Sequence, residues 1–222
     1  MSVLETRPVF PLPNVVFFPK TILALHVFEP RYRLMMEESL RGDQTVCVVL
    51  LKPGWEGNYY GSPEVHEIGC VGRIAEHKLL PDGRYNIALH GEYKASVQSF
   101  DRNEPYRIAR VQRIEEDESW MRGAGSTEQA NELLELFQKA GTARAAGFDL
   151  TGVFGPHLGS DAILNTIAMY LNVDPAEKQR LLEMESLELR YRAVHDFLRD
   201  TTAVQDSIDR LRHLFPGEPR RN

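Results

Sequence analysis

The sequence predicts an α+β protein: an N-terminal antiparallel β pseudo-barrel with one inserted helix, followed by a C-terminal helical bundle that ends in a long helix. Three observations predict it. Short apolar or β-branched runs separated by turn residues fill the first 118 residues. One early stretch, residues 30–41, carries helical spacing among those strands. After about residue 118 the apolar period changes from 2 to 3.6. The expected organisation is a β unit at 1–118 and a helical unit at 119–222.

Residues 22–26 and Thr45–Leu51 are apolar runs of strand length. A longer run covers 65–80 and meets Pro81-Asp82-Gly83, where Pro presets φ, Asp bonds the following backbone and Gly tolerates positive φ. On the returning strand Tyr85, Ile87 and Leu89 alternate with Asn86, Ala88 and His90, so one face is more apolar. Residues 92–100 and 106–114 complete the set. Neighbours joined by short turns pair antiparallel, and such a sheet curls into a barrel. In the inserted helix, Pro30 sits in the first turn, where its missing N–H costs little. Tyr32, Met35 and Met36 share one face, and Arg41-Gly42 stops it.

In the second unit Ala130, Leu133, Leu134 and Phe137 form one stripe, and Ile163, Leu164, Ile167, Ala168 and Leu171 another. Residues 141–159, rich in Gly and Ala, read as a loop between them. Asp174-Pro175-Ala176-Glu177 has an N-cap carboxylate, Pro at N1 and Glu at N3, the pattern of a capping box. The last stripe is Leu187, Tyr191, Val194, Leu198, Val204, Ile208, Leu211 and Phe215, ending at Pro216-Gly217.

An apolar fraction of 42% with 26% charged residues is ordinary for a soluble globular protein. The net charge is −6, evenly spread: residues 1–118 hold 14 Lys and Arg against 17 Asp and Glu, and residues 119–222 hold 12 against 15. Nucleic-acid binders draw most of their affinity from basic surface, so this balance argues against such a partner. The first residues lack a charged region followed by an apolar one, so no secretory leader is expected. No run of about 18 apolar residues is present, and no membrane partner is expected. Cys47 and Cys70 lie in strand-like segments and read as reduced core residues, consistent with a cytoplasmic address.

Several segments resemble a known family. Pro11-Leu12-Pro13-Asn14-Val15-Val16-Phe17-Phe18-Pro19, followed by Leu23-Ala24-Leu25-His26-Val27-Phe28-Glu29-Pro30-Arg31-Tyr32, resembles the opening of LON domains. Gly69-Cys70-Val71-Gly72-Arg73-Ile74 with Leu80-Pro81-Asp82-Gly83-Arg84-Tyr85-Asn86 looks like their central hairpin, and Gly91-Glu92-Tyr93-Lys94 like the turn after it. The ordered set covers roughly residues 7–118. The helical half is similar in outline to the segment that follows, and residues 174–182 resemble its usual helix start. The resemblance implies a PUA-like β pseudo-barrel joined to a helical domain. In Lon proteases this region helps to recognise protein substrates, while unfolding and cleavage belong to later domains. It therefore implies a stand-alone module that binds unfolded or exposed apolar protein segments, as an adaptor or chaperone-like factor alongside a protease or chaperone.

The residues for catalysis are missing from the sequence. A phosphate-cradling glycine loop ends in Gly-Lys followed by Ser or Thr, and no Gly-Lys pair occurs anywhere. Gly54-Trp55-Glu56-Gly57 and Gly123-Ala124-Gly125-Ser126 read as connectors. There is no Gly-x-Ser-x-Gly elbow, and the serine–lysine peptidase of Lon lies in a separate domain. The expectation is no enzymatic activity and no cofactor. His66-Glu67 begins like a zinc motif, but Cys70 stands where the second His belongs. On a strand His66 and Cys70 are about 13 Å apart, too far to share an ion, so no metal is expected. Glu29, Arg31 and Tyr32 read as structural: a carboxylate favourable at a helix N-terminus, an ion-pair partner and a core anchor.

The functional candidate is the loop Pro53-Gly54-Trp55-Glu56-Gly57-Asn58-Tyr59-Tyr60-Gly61. Trp55, Tyr59 and Tyr60 offer amphipathic area for peptide binding; the plainer reading is that they cover a barrel end. Trp120 and Met121, at the junction, read either as packing between the units or as a groove lining. Two other functions stay open: a PUA-like RNA-binding module, and an unrecognised hydrolase using Asp149, His157, Ser160 and Asp161.

Overall fold

The structure is a computed structural model that describes residues 3–117, 119, 126–140 and 158–214, with side chains described as far as Gln205. Six strands and one helix make the first half: β1 (Leu4–Leu12), β2 (Ile22–Val27), α1 (Pro30–Arg41), β3 (Thr45–Leu51), β4 (Val65–Leu79), β5 (Tyr85–Arg102) and β6 (Arg107–Arg113). The strand order is β2-β5-β4-β3-β1-β6, and β5 also pairs with β6. Five strands therefore run in a near ring, and β2 is attached outside it. The length of β5 makes this possible. Its first residues, Tyr85 to His90, pair with β2, and its later ones, from Ala95 to Arg102, with β6.

Every pairing between these six strands is antiparallel except β1 with β3. The pattern of apolar runs does not reveal β1, because Pro8 and Pro11 read as strand breakers. The pairing explains their presence. Residues 4–9 pair with β6 and residues 9–12 with β3, so each proline lies where β1 is bonded on one side only. A missing N–H is tolerated there. A second correction concerns Gly91, which resembles a turn residue but lies inside β5. Lys20 N–H donates to its carbonyl at 2.7 Å, and Gly91 N–H donates to Thr21 O at 2.9 Å. A Cβ at position 91 would come within 2.2 Å of Phe18 O, so glycine lets the segment before β2 cross close over β5.

The helical half contains α2 (Ser126–Lys139), α3 (Ser160–Tyr170), α4 (Pro175–Glu183) and α5 (Leu187–Leu214). The expected stripes are buried: Ala130, Leu133 and Phe137; Leu164, Ile167, Ala168 and Leu171; Leu187, Tyr191, Val194 and Leu198. Val204 departs from its stripe. At 60% exposure it faces solvent. Ile208, Leu211 and Phe215, and the expected stop at Pro216-Gly217, lie outside the described side chains. α4 starts where expected, but Asp174 makes no side-chain cap bond. Glu177 instead accepts from Arg180 at 2.8 Å, and the first-turn N–H of Glu177 reaches the Asp174 carbonyl at 3.0 Å.

Among the described residues two apolar cores result. The smaller one fills the ring with short side chains, among them Val9, Cys47, Val49, Val71, Ala95, Ala109 and Val111. The larger one lies outside the ring and runs from Phe10, Phe17 and Phe18 through α1 to Leu164, Leu187 and Leu198. Cys47 and Cys70 are free thiols, one in each core. Burial pushes Cys47 up to about 12 and Cys70 well above its ordinary value, so both stay protonated and unreactive.

Candidate functional site

The aromatic loop connects β3 to β4 and is built around a short 3-10 turn at Trp55–Asn58. Gly54, with φ of 90°, occupies the left-handed region that starts the turn. Trp55 and Tyr59 are half-buried and pack against the core inside the ring; their rings meet edge to face at 5.5 Å. These two cap one end of the barrel, while Tyr60 is 87% exposed with its ring 5.3 Å from that of Tyr59. Exposed tyrosine is unremarkable alone. Here it is mounted on a loop pinned at several points.

The pin is the start of α1. Tyr59 Oη donates to Glu29 Oε1 at 2.6 Å, Arg31 Nη2 donates to the Tyr59 carbonyl at 3.2 Å, and Arg31 pairs with Glu29 at 3.0 Å. The guanidinium lies 4.6 Å from the Tyr32 ring centre and 5.4 Å from that of Tyr59. Burial first, then the bond to the Glu29 carboxylate, pushes the Tyr59 hydroxyl up to about 12. Glu29 stands at the N-terminus of α1, as expected, but makes no side-chain cap bond to it. Its carboxylate holds the aromatic loop instead. Arg31 and Tyr32 are structural, as the sequence suggests.

Beside the loop lies an open groove of about 530 Å³, lined by Lys52, Pro63, Glu64, Val65, Val97, Phe100 and Arg107 among others. Arg107 organises its floor, donating to Pro63 O at 2.6 Å with its guanidinium 5.5 Å from the Phe100 ring. A second groove of about 470 Å³ lies between α1 and the β4–β5 hairpin, with Leu34, Leu79 and Tyr85 in its walls. Leu34 and Leu79 are exposed.

The strand and helix halves meet at a buried polar cluster that motif reading does not find. Arg190 is fully buried; its Nε donates to Leu181 O and its Nη1 to Asn165 Oδ1, both at 2.8 Å. It also pairs with Glu116, which accepts from Lys94 Nζ at 3.1 Å. Lys94 donates to Met184 O at 2.6 Å, and Asn165 to Pro19 O at 3.0 Å. Burial lowers the affinity of Lys94 for its proton, and the Glu116 charge opposes that. Donors and acceptors are matched here, which makes this a structural joint.

Among the described residues no three His, Cys, Asp or Glu side chains gather as metal ligands. His66 faces Glu183 at 3.6 Å, while Cys70 points into the larger core. Ser160 opens α3, and Asp161 pairs with Lys20. Trp120, Met121, Asp149 and His157 lie outside the described residues. No described helix is long and apolar enough to cross a membrane.

The near ring, the inserted helix and the trailing helices define a LON-type architecture. The family model for the "ATP-dependent protease La (LON) substrate-binding domain" matches residues 6–200, and the chain belongs to this family. It is 27% identical over 226 residues to the Lon protease of Chloroherpeton thalassium, covering 94% of this chain and 26% of that protein. With Lon protease 2 of Myxococcus xanthus the identity is 28%, covering 96% of this chain and 26% of that protein. The chain thus spans about a quarter of the length of these relatives, and the match takes in the substrate-binding region without the ATPase or protease regions. Two solved structures share the fold: the Lon N-terminal domain protein from Xanthomonas campestris, at TM-score 0.60 and 20% identity over 88% of this chain and 98% of that one; and the N-terminal domain of the Mycobacterium avium complex Lon protease, at TM-score 0.60 and 14% identity over 88% and 99%.

Proposed function

We propose that this chain is a non-enzymatic protein-binding module that takes exposed apolar segments of other proteins, acting in the cytoplasm as an adaptor or chaperone-like factor. The observation that carries this reading is Tyr60: a fully presented aromatic on a loop fixed by Glu29 and Arg31. Because the loop is held before any ligand arrives, little ordering entropy is lost on binding. Trp55 and Tyr59 act mainly as its foundation, and the adjoining groove with Phe100 supplies further contact area. Family membership supports the same reading. The test is fluorescence anisotropy of labelled, reduced and carboxymethylated α-lactalbumin, a chain that cannot refold, titrated with this protein. Saturable binding without nucleotide is expected; absence of binding to this and other permanently unfolded chains removes the proposal.

A further inference from the structure

Each of the five ring strands has partners on both sides, whereas β2 pairs with β5 alone. The bonds at its start fix which way its backbone faces. Gly91 N–H donates to Thr21 O, while Lys20, at φ 62°, donates to Gly91 O. Thr21 is therefore bonded to β5, and the register continues without a shift to Val27 opposite Tyr85. In an antiparallel pair bonded and non-bonded positions alternate, so Leu23, Leu25 and Val27 bond to β5. Ile22, Ala24 and His26 turn their N–H and C=O groups to the open edge, and no backbone or side-chain partner for them occurs among the described residues. Ile22 is 51% exposed, Phe28 59%, and Ala24 and His26 are also exposed.

Open edges are ordinarily blunted by charge, proline or a cover. A second one-sided stretch shows this: beyond Arg73, where β3 ends, β4 carries Glu76, His77 and Lys78. The β2 sequence, Ile-Leu-Ala-Leu-His-Val, has no acid, lysine, arginine or proline. Its exposed face presents Ile22, Ala24 and His26 at every second position, with Phe28 next in the series just past the strand, the spacing at which an added strand sets its own side chains; the His26 ring is held to the β5 side by Asn86 Oδ1 at 2.7 Å and Arg84 Nη1 at 3.1 Å. The strand also leads directly into Glu29 and Arg31, which hold the aromatic loop.

We infer that the open edge of β2 receives an extended, apolar segment of a client polypeptide as an added β-strand, through the outward backbone groups of Ile22, Ala24 and His26. This rests on the protein-binding reading above and names its mode. A strand supplies the row of donors and acceptors this edge lacks, which a helix or a small molecule does not. A second copy is the less favoured occupant, because each copy carries a net charge of −6.

The experiment uses the full chain, reduced and carboxymethylated α-lactalbumin, and a seven-residue peptide alternating threonine and valine. Ala24→Pro deletes an outward N–H that the sheet does not use, and Ala24→Lys places a charge on the exposed face; circular dichroism confirms that each is folded. Both variants are expected to weaken binding of the unfolded chain by about tenfold, the weight of one or two backbone hydrogen bonds. N-methylation of the peptide on alternate residues should abolish binding in one phase and spare it in the other. Amide exchange at Ile22, Ala24 and His26 should slow on binding. Wild-type binding that neither variant weakens, with both N-methyl phases equivalent, overturns strand addition and leaves the protein-binding reading standing. Absence of wild-type binding overturns both. Loss of self-association in the variants with client binding unchanged assigns the edge to a second copy and overturns this proposal.

Discussion

Arg190, on the last helix, is fully buried and shares the carboxylate of Glu116 with Lys94, from the middle of β5. One residue just past β6 thus neutralises a cation from each half of the chain. The joint is a matched set of polar groups inside an apolar boundary, where an unpaired charge is costly.

Removing one member should therefore cost far more than removing a surface pair. Arg190→Met is expected to lower stability by about 3–5 kcal/mol in urea denaturation, because Asn165 Oδ1 and two carbonyls lose their Arg190 donor and Glu116 keeps only Lys94. Arg192→Met, which breaks an exposed i, i+4 pair with Glu188 on the same helix, should change stability by less than about 0.5 kcal/mol. Equal effects would mean that the buried cluster does not hold the halves together.

Because the larger core passes from the strands into the helices, we propose that 1–118 and 119–222 are two structural units that unfold together. A single calorimetric transition is expected, with equal van't Hoff and calorimetric enthalpies. Two resolved transitions would show that the units are thermodynamically separate.

Trp55→Ala removes half-buried area that packs on the ring interior and should destabilise the protein by about 1–3 kcal/mol, seen as a lower denaturation midpoint. An unchanged midpoint would make Trp55 a surface residue in function.

The Tyr59 hydroxyl, raised by burial and by Glu29 from 10.0 to about 12, gives a pH signature. The folded state holds this proton more tightly than the unfolded chain, so its contribution to stability is complete below pH 10 and is lost as pH rises through about 12. In an ultraviolet titration Glu29→Gln should move one tyrosine to lower pH. A titration curve identical to wild type would place Tyr59 away from the Glu29 carboxylate.

Much of the fold was legible because it rests on short-range patterns. The continuous apolar run Thr45–Leu51 marks β3, alternation after Pro81-Asp82-Gly83 marks the hairpin, and Pro30 with the Tyr32, Met35 and Met36 face marks α1 over its full length. β1 was hidden because its prolines are tolerated only through pairing with β3 and β6, which sequence spacing does not encode. The same holds for the joint. Lys94, Glu116, Asn165 and Arg190 lie on separate elements, and each alone looks like an ordinary polar residue. The aromatic loop was visible as composition, but which ring faces solvent depends on Glu29 and Arg31 reaching across from α1. The open edge of β2 likewise becomes apparent only once every other strand has been paired.

Isothermal titration calorimetry with reduced, carboxymethylated α-lactalbumin decides whether this chain holds exposed apolar polypeptide at its aromatic surface. Wild type should bind saturably, and Tyr60→Ser should weaken binding about tenfold while leaving the urea midpoint unchanged, since Tyr60 is 87% exposed. No binding heat with the wild type would remove the protein-binding reading, and equal affinity for wild type and Tyr60→Ser would show that Tyr60 does not carry the binding.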